Sequence, residues 1–124
     1  MFSTTKAFSG FSVNDIPAAT VFYRDKLGLT VEEQNGMLAL HLGGGGTVLV
    51  YPKQNHAPAT YTVLNLPVDD IESAVDDLTA KGVQFERYDG MPADEKGIMR
   101  AGHGPDIAWF TDPAGNVISV LQES

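Results

Sequence analysis

The chain has 124 residues, of which 43% are hydrophobic and 19% are charged, the composition of a soluble globular protein with a genuine core. Its 16 acidic and 8 basic residues give a formal net charge of −8. This balance argues against nucleic acid as a partner and favours a cationic ligand, although acidic surfaces also simply keep proteins soluble.

The absence of cysteine excludes disulfides, thiolate metal sites and a cysteine nucleophile, and it fits a reducing compartment. Residues 1–10 contain one lysine and no long apolar run, so we expect no signal peptide, and no apolar run in the sequence is long enough to span a membrane. We therefore expect a cytoplasmic protein with no membrane partner.

The first half of the chain has the pattern of one strand, one helix and three further strands. Asn14 or Asp15 caps the helix, Pro17 suits its first turn, and Gly28 ends it. Asn35-Gly36 between two apolar runs is the strongest short hairpin signal in the sequence. The four strands are predicted over residues 7–13, 30–34, 37–42 and 47–51.

The same pattern restarts after a polar connector. A helix is predicted from Ile71 to about Lys81, because its apolar residues recur at the spacing of one helix face. The long, glycine-rich segment Arg87–Pro105 either extends a strand in part or acts as a lid. The strands of this half are predicted over residues 61–67, 83–86, 107–111 and 117–121.

The two halves are related by an internal repeat. Val13-Asn14-Asp15-Ile16 matches Val68-Asp69-Asp70-Ile71 at an offset of 55 residues. Near the end of each half, residues 46–50 match residues 115–119 at an offset of 69, and the difference of 14 is the extra length of the Arg87–Pro105 segment. The sequence therefore predicts a single domain over 1–124, made of a first βαβββ module (1–52) and a second (59–124).

These motifs resemble those of the vicinal oxygen chelate superfamily, which includes glyoxalase I, bleomycin-resistance proteins and extradiol dioxygenases. The resemblance rests on Phe11-Ser12-Val13-Asn14-Asp15, on Leu27-Gly28-Leu29, and on the closing run from Phe110 to Ile118 with its Asp112-Pro113-Ala114-Gly115 turn. It implies an α+β fold in which two βαβββ modules form a half-open mixed β-barrel with a ligand on its concave face.

Metal-dependent members of this superfamily draw ligands from the first and last strand of each module. The resemblance places these positions at Phe8, Val50, Val63 and Ser119. Divalent metals need imidazole, carboxylate or amide donors, and serine is a poor neutral ligand. A slip of one residue does not supply better donors, so we expect no metal and no other cofactor. This puts the isomerase and dioxygenase chemistry of the family in doubt.

His41 is a candidate functional residue on the third strand. Leu38 and Leu40 share one parity and should face the core, so His41 should face the cavity together with Met37. There it could hydrogen-bond a ligand or act as a general base, although such a histidine is more often a solvated wall residue. His56 and His103 fall in connecting segments and are assigned to the surface.

Trp109 is the single tryptophan and neighbours Phe110 in a strand. If Phe110 is in the core, Trp109 forms the floor of the cavity and offers a stacking surface to a planar or cationic group. A structural tryptophan or one in a dimer interface is the competing interpretation. Met91 and Met99 in the long segment form either an apolar cover or an ordinary exposed loop.

The leading hypothesis is a metal-independent protein of the bleomycin-resistance type that sequesters a small amphipathic or cationic molecule and works as a homodimer. The alternative is a glyoxalase-like lyase or isomerase, metal-free with His41 as base; a metal-dependent enzyme comes third. Whether the protein is an enzyme stays open. The predicted ligand-binding residues are Phe8, Met37, His41, Val50, Val63, Asn65, Met99, Trp109 and Ser119.

Overall fold

Each half of the chain builds its own four-stranded sheet. The computed structural model describes residues 1–100, 102 and 104–123, and the chain divides into two units, Met1–Ala57 and Pro58–Ser124. No helix in these described residues is both long and apolar enough to cross a membrane.

The first unit has the strand order β1-β4-β3-β2. Strand β1 is parallel to β4, and the other neighbouring pairs are antiparallel. This order follows from the chain: the helix carries it across the sheet after the first strand, and two hairpins return it. The strands are β1 (Ser9–Val13), β2 (Thr30–Gln34), β3 (Met37–His41) and β4 (Thr47–Pro52).

The helix of the first unit is α-helical for only part of its length. Helix α1 (Ile16–Thr20) begins after Asp15, whose carboxylate accepts a hydrogen bond from the Ala18 amide at 3.0 Å. A π-helical segment, Val21–Lys26, continues it and buries the neighbouring rings of Phe22 and Tyr23. The sequence predicted one regular helix, so this wider turn is a correction.

The hairpin between β2 and β3 has the predicted turn. Asn35 and Gly36 adopt φ values of 55° and 78°, as a type I′ turn requires. This turn sets the register, and Leu38 and Leu40 then lie fully buried opposite the buried Val50 and Val48 of β4.

The second unit repeats this order as β5-β8-β7-β6. Helix α2 (Ile71–Ala80) is capped by Asp70, and hydrogen bonds from the backbone and side chain of Ser73 hold the pKa of that carboxyl below its usual range. Its buried face packs on the sheet. The strands are β5 (Thr62–Pro67), β6 (Phe85–Glu86), β7 (Asp106–Thr111) and β8 (Val117–Gln122).

The turn between β7 and β8 is held by one buried carboxylate. Asp112 accepts hydrogen bonds from the amides of Ala114 and Asn116, both at 2.9 Å, and from the Asn116 side chain at 3.0 Å. Gly115 follows with φ 86°, and a Cβ there would lie 3.2 Å from Pro58. These contacts explain why the turn needs its aspartate, glycine and asparagine.

Candidate functional site

One face of the second sheet carries polar and aromatic side chains. The alternate residues Leu64, Ala108, Phe110, Ile118 and Val120 are buried in the core with α2. Residues of the other parity lie on the opposite face, which we call the second open face. Strand pairing places on it Thr62, Asn65, Glu86, Ile107, Trp109, Thr111, Val117 and Ser119.

Trp109 lies at the centre of the second open face and is held on two sides. Its indole nitrogen donates a hydrogen bond to Thr62 Oγ1 at 3.2 Å. The ring of Tyr88 meets the indole edge-to-face, with centroids 5.7 Å apart and an interplanar angle of 72°. Phe110 is buried on the other side of the sheet, which is the alternation the sequence indicated. The half-buried indole is therefore fixed in orientation.

Ser119 and Asn65 form a polar pair beside the tryptophan. Ser119 faces Trp109 across β7 and β8, is fully buried, and donates a hydrogen bond from Oγ to Asn65 Oδ1 at 2.6 Å. Asn65 itself is exposed. Its amide nitrogen has no partner among the described residues and is free to donate to a ligand.

Glu86 brings a carboxylate to the same face. It pairs directly with Trp109 across β6 and β7 and is half-buried. Burial and the nearby Glu86 charge raise the pKa of the Tyr88 phenol. Sequence analysis did not single out Glu86 or Tyr88, because their approach to Trp109 depends on register across a long intervening segment.

The first sheet has an equivalent face, the first open face. The buried leucines and valines define its core side, and the opposite parity carries the polar groups. His41 lies exposed at the end of β3, with Nε2 3.6 Å from a Glu32 carboxylate oxygen. The first open face consists of Gly10, Ser12, Thr30, Glu32, Gln34, Met37, Ala39, His41, Thr47, Leu49 and Tyr51.

His56, which the sequence predicts to lie in a surface connector, also contacts the first open face. The segment after β4 turns back, with the Lys53 amide bonded to the Val13 carbonyl at 3.0 Å. The Nδ1 atom of His56 then lies 2.6 Å from Ser12 Oγ. No sequence signal marked this contact, because the two residues are 44 positions apart.

The long segment Arg87–Pro105 is partly anchored to its own unit. Ile98 is fully buried, and Met99 forms an isolated bridge with Ile107, which puts it at the edge of the second open face. Arg100 bonds Asp94 at 3.2 Å and Asp106 at 3.0 Å. Residues 94–100 are thus tied to β7. His103 lies outside the described residues.

A separate cavity of about 450 Å³ lies beside α2 and is lined by Val75, Phe85 and Lys96 among others. The lysine is engaged with Asp76 at 3.0 Å.

The family model of the glyoxalase/bleomycin resistance protein/dioxygenase superfamily matches residues 7–120 of the chain. The chain belongs to this superfamily. The resemblance seen in the sequence is confirmed, and so is the α+β fold of paired βαβββ modules. Among proteins with curated descriptions, none matches the chain significantly.

Solved structures show the same superfamily fold over whole chains. A superfamily member from Sphaerobacter thermophilus DSM 20745 has a TM-score of 0.76 at 22% identity, covering 99% of this chain and 100% of that one. TnmS3, an antibiotic binding protein from Streptomyces sp. CB03234, has a TM-score of 0.72 at 21% identity, covering 100% and 99%. The glyoxalase family protein from Enterococcus faecalis has a TM-score of 0.71 at 21% identity, covering 98% of this chain and 99% of that one. At these identities the likeness establishes the fold.

The prediction that Val50 lines the ligand-binding face is wrong. In the last strand of the first module Val48 and Val50 are buried, and in the last strand of the second module Ile118 and Val120 are buried. These strands therefore correspond at an offset of 70 residues (118 − 48). The sequence match of residues 46–50 with 115–119 gave an offset of 69, which is one residue too few. Val50 therefore lies in the core. Leu49 is the residue that matches Ser119, because a slip of one position exchanges the faces of a strand.

The corrected positions do not fit the metal that the superfamily implies. Phe8, Leu49 and Val63 have no donor atoms, and the Ser119 hydroxyl is bonded to Asn65. Phe8 precedes β1 and is 66% exposed, and Val63 lies at a register irregularity in β5. Within the part of the chain that the structure describes, no group of three or more His, Cys, Asp or Glu side chains is placed to hold a metal ion.

Proposed function

We propose that this protein is a metal-independent binding protein that sequesters a small amphipathic or cationic molecule on its open sheet faces. The observation that carries the proposal is the second open face. There an oriented tryptophan lies beside the free amide donors of Asn65, the combination of an apolar surface with a few fixed polar groups that small-molecule sites use.

Two further facts support this proposal. The net charge of −8 attracts cations to the protein. TnmS3, which shares the fold over nearly its whole length, is an antibiotic binding protein. The proposed ligand contacts are Phe8, Met37 and His41 from the first unit, and Val63, Asn65, Met99, Trp109 and Ser119 from the second.

A titration with a cationic glycopeptide antibiotic of the bleomycin type tests the proposal. Trp109 is the only tryptophan, so its emission reports the second open face directly. We expect a saturable change in intensity or wavelength. The absence of any response up to millimolar antibiotic would count heavily against binding of this class of ligand.

A second candidate function is a metal-free, glyoxalase-like lyase or isomerase with His41 as general base. The observation in its favour is the exposed position of His41 on the first open face, with a Glu32 carboxylate oxygen 3.6 Å from Nε2 that can orient the imidazole toward a ligand. Replacement of His41 by alanine should then abolish any detected turnover. Unchanged turnover in this variant would dispose of the candidate.

The proposal also includes a homodimer in the cytoplasm. The exposed apolar side chains of Phe2, Phe8 and Val21 in the first unit support association with another copy. Light scattering during size-exclusion chromatography should give twice the chain mass of 13.3 kDa. A mass of one chain at micromolar concentration would contradict the dimer.

A further inference from the structure

Glu86 is a half-buried carboxylate whose position is fixed by the sheet. Strand β6 has only two residues, and Phe85 anchors it by packing edge-to-face on Phe110, with ring centroids 5.5 Å apart. This register puts Glu86 directly opposite Trp109. Directly opposed residues have their Cβ atoms about 4.5–5.5 Å apart, so the side chains of Glu86 and Trp109 leave the sheet next to each other on the same face.

Tyr88 completes the surroundings of this carboxylate. Its ring meets the indole of Trp109 at 72° and is itself 38% exposed. The charge of Glu86 is close enough to contribute to the raised pKa of the Tyr88 phenol. Two aromatic rings at a steep angle and one carboxylate therefore border the same spot on the second open face.

Three cationic side chains of the segment that begins directly after β6 hydrogen-bond to groups other than Glu86. Arg87 donates to the carbonyl of Glu95 at 3.0 Å, Lys96 bonds Asp76, and Arg100 bonds Asp94 and Asp106. Glu86 takes part in no ion pair among residues 1–100, 102 and 104–123. A half-buried carboxylate without a counter-charge gains most from a cation supplied from outside.

We propose that Glu86, Tyr88 and Trp109 form a subsite for the ammonium group of an organic cation. The negative faces of the two rings attract the cation, and the carboxylate neutralises it. This inference rests on the proposed function and narrows it: the ligand carries an aliphatic or quaternary ammonium group, and a carboxylate-bearing ligand is repelled. Glu86 is the residue that determines this specificity.

Three probes of similar size and different charge test the subsite: benzyltrimethylammonium, benzyl alcohol and benzoate. The single indole N–H resonance of Trp109 in a two-dimensional NMR spectrum reports binding. We expect the ammonium probe to bind about tenfold more tightly than benzyl alcohol, and benzoate to bind most weakly. The isosteric variant Glu86→Gln should bring the ammonium probe to the affinity of benzyl alcohol.

The matched control is Glu33→Gln, which removes the same charge from an exposed site on β2 of the other unit. It should keep the preference for the ammonium probe. Equal affinities of the three probes, unchanged affinity in Glu86→Gln, or no shift of the indole resonance by the ammonium probe would each overturn the subsite. The antibiotic titration tests the proposed function separately. If the antibiotic binds equally well to the wild type and to Glu86→Gln, the proposed function is retained and only the ammonium subsite is rejected.

Discussion

At the scale of single residues, Trp109 is the aromatic side chain that the structure holds in a fixed orientation on the second open face. Thr62 and Tyr88 already restrict its rotation, so a ligand that stacks on it loses little further entropy. This distinguishes it from the exposed Tyr61, for which no such contact is found among the described residues.

Replacement of Trp109 by alanine should weaken antibiotic binding by about 1–2 kcal/mol, or roughly tenfold in affinity, through loss of stacking and cation–π attraction. Isothermal titration calorimetry measures this change in affinity, because the alanine variant no longer has the tryptophan whose fluorescence would report binding. The conservative variant Trp109→Phe keeps an aromatic surface and should retain most of the affinity. An alanine variant that binds as tightly as the wild type would place the ligand elsewhere.

At the scale of elements, the segment that follows β6 is held by one glycine and one aspartate. Gly97 has φ 88°, and a Cβ there would lie 2.9 Å from the Cβ of Phe85. Asp94 accepts hydrogen bonds from the amides of Lys96 and Ile98, at 2.9 and 3.0 Å. Gly97 therefore lets this segment lie close against β6, the strand that positions Glu86, and Asp94 fixes the turn that contains Gly97.

We expect Gly97→Ala to lower the free energy of unfolding by about 2–4 kcal/mol, since it adds a clash to an unfavourable backbone conformation. Gly90 provides the matched control, because it has φ 79° but open space around it. Gly90→Ala should cost about 1 kcal/mol. Urea denaturation measures both, and equal losses would show that the contact with Phe85 is unimportant.

Acid should loosen this segment. Partial burial alone would raise the pKa of Asp94, but the amides of Ile98 and Lys96 and the guanidinium of Arg100 together lower it from 3.8. A carboxyl group whose pKa is lower in the folded state than in the unfolded state stabilises the folded state at pH values above its unfolded pKa. This stabilisation is lost as the pH falls through its folded pKa. Protection of the Ile98 amide from hydrogen exchange, corrected for intrinsic rates, should therefore decline below about pH 4.

The variant Asp94→Asn should show the loosened segment already at neutral pH. The control Asp77→Asn, on the exposed side of α2, should leave Ile98 protected at neutral pH. If Asp94→Asn behaves as the wild type does, other contacts hold the segment.

Local sequence signals predicted the helices, strands and turns well. The residues of the candidate site were harder to predict, because their positions depend on the register between strands that are far apart in the sequence. The Asn35-Gly36 turn is decided by two adjacent residues, and the alternation of Trp109 with Phe110 by one strand. The face of Val50 depended on aligning two strand ends across modules, where an error of one residue reversed it. The hydrogen bond between Ser12 and His56 and the strand pairing of Glu86 with Trp109 join distant segments, and no local pattern encodes them.

At the scale of the whole molecule, the superfamily fold is kept while the residues at its metal positions provide no suitable donor set. The fold is specified by the hydrogen bonds of the Asp112 turn and by the buried residues that alternate along the strands. Neither feature depends on the residues at the metal positions. The same fold serves many chemistries, so the fold by itself does not assign one to this chain.

The central claim is that a small cationic molecule binds without a metal ion. Calorimetric titration of the protein with the bleomycin-type antibiotic, before and after exhaustive treatment with EDTA, tests it most directly. We predict saturable binding with the same affinity in both preparations. Binding that is lost with EDTA and restored by zinc, nickel or iron, or no binding in either preparation, would contradict the account.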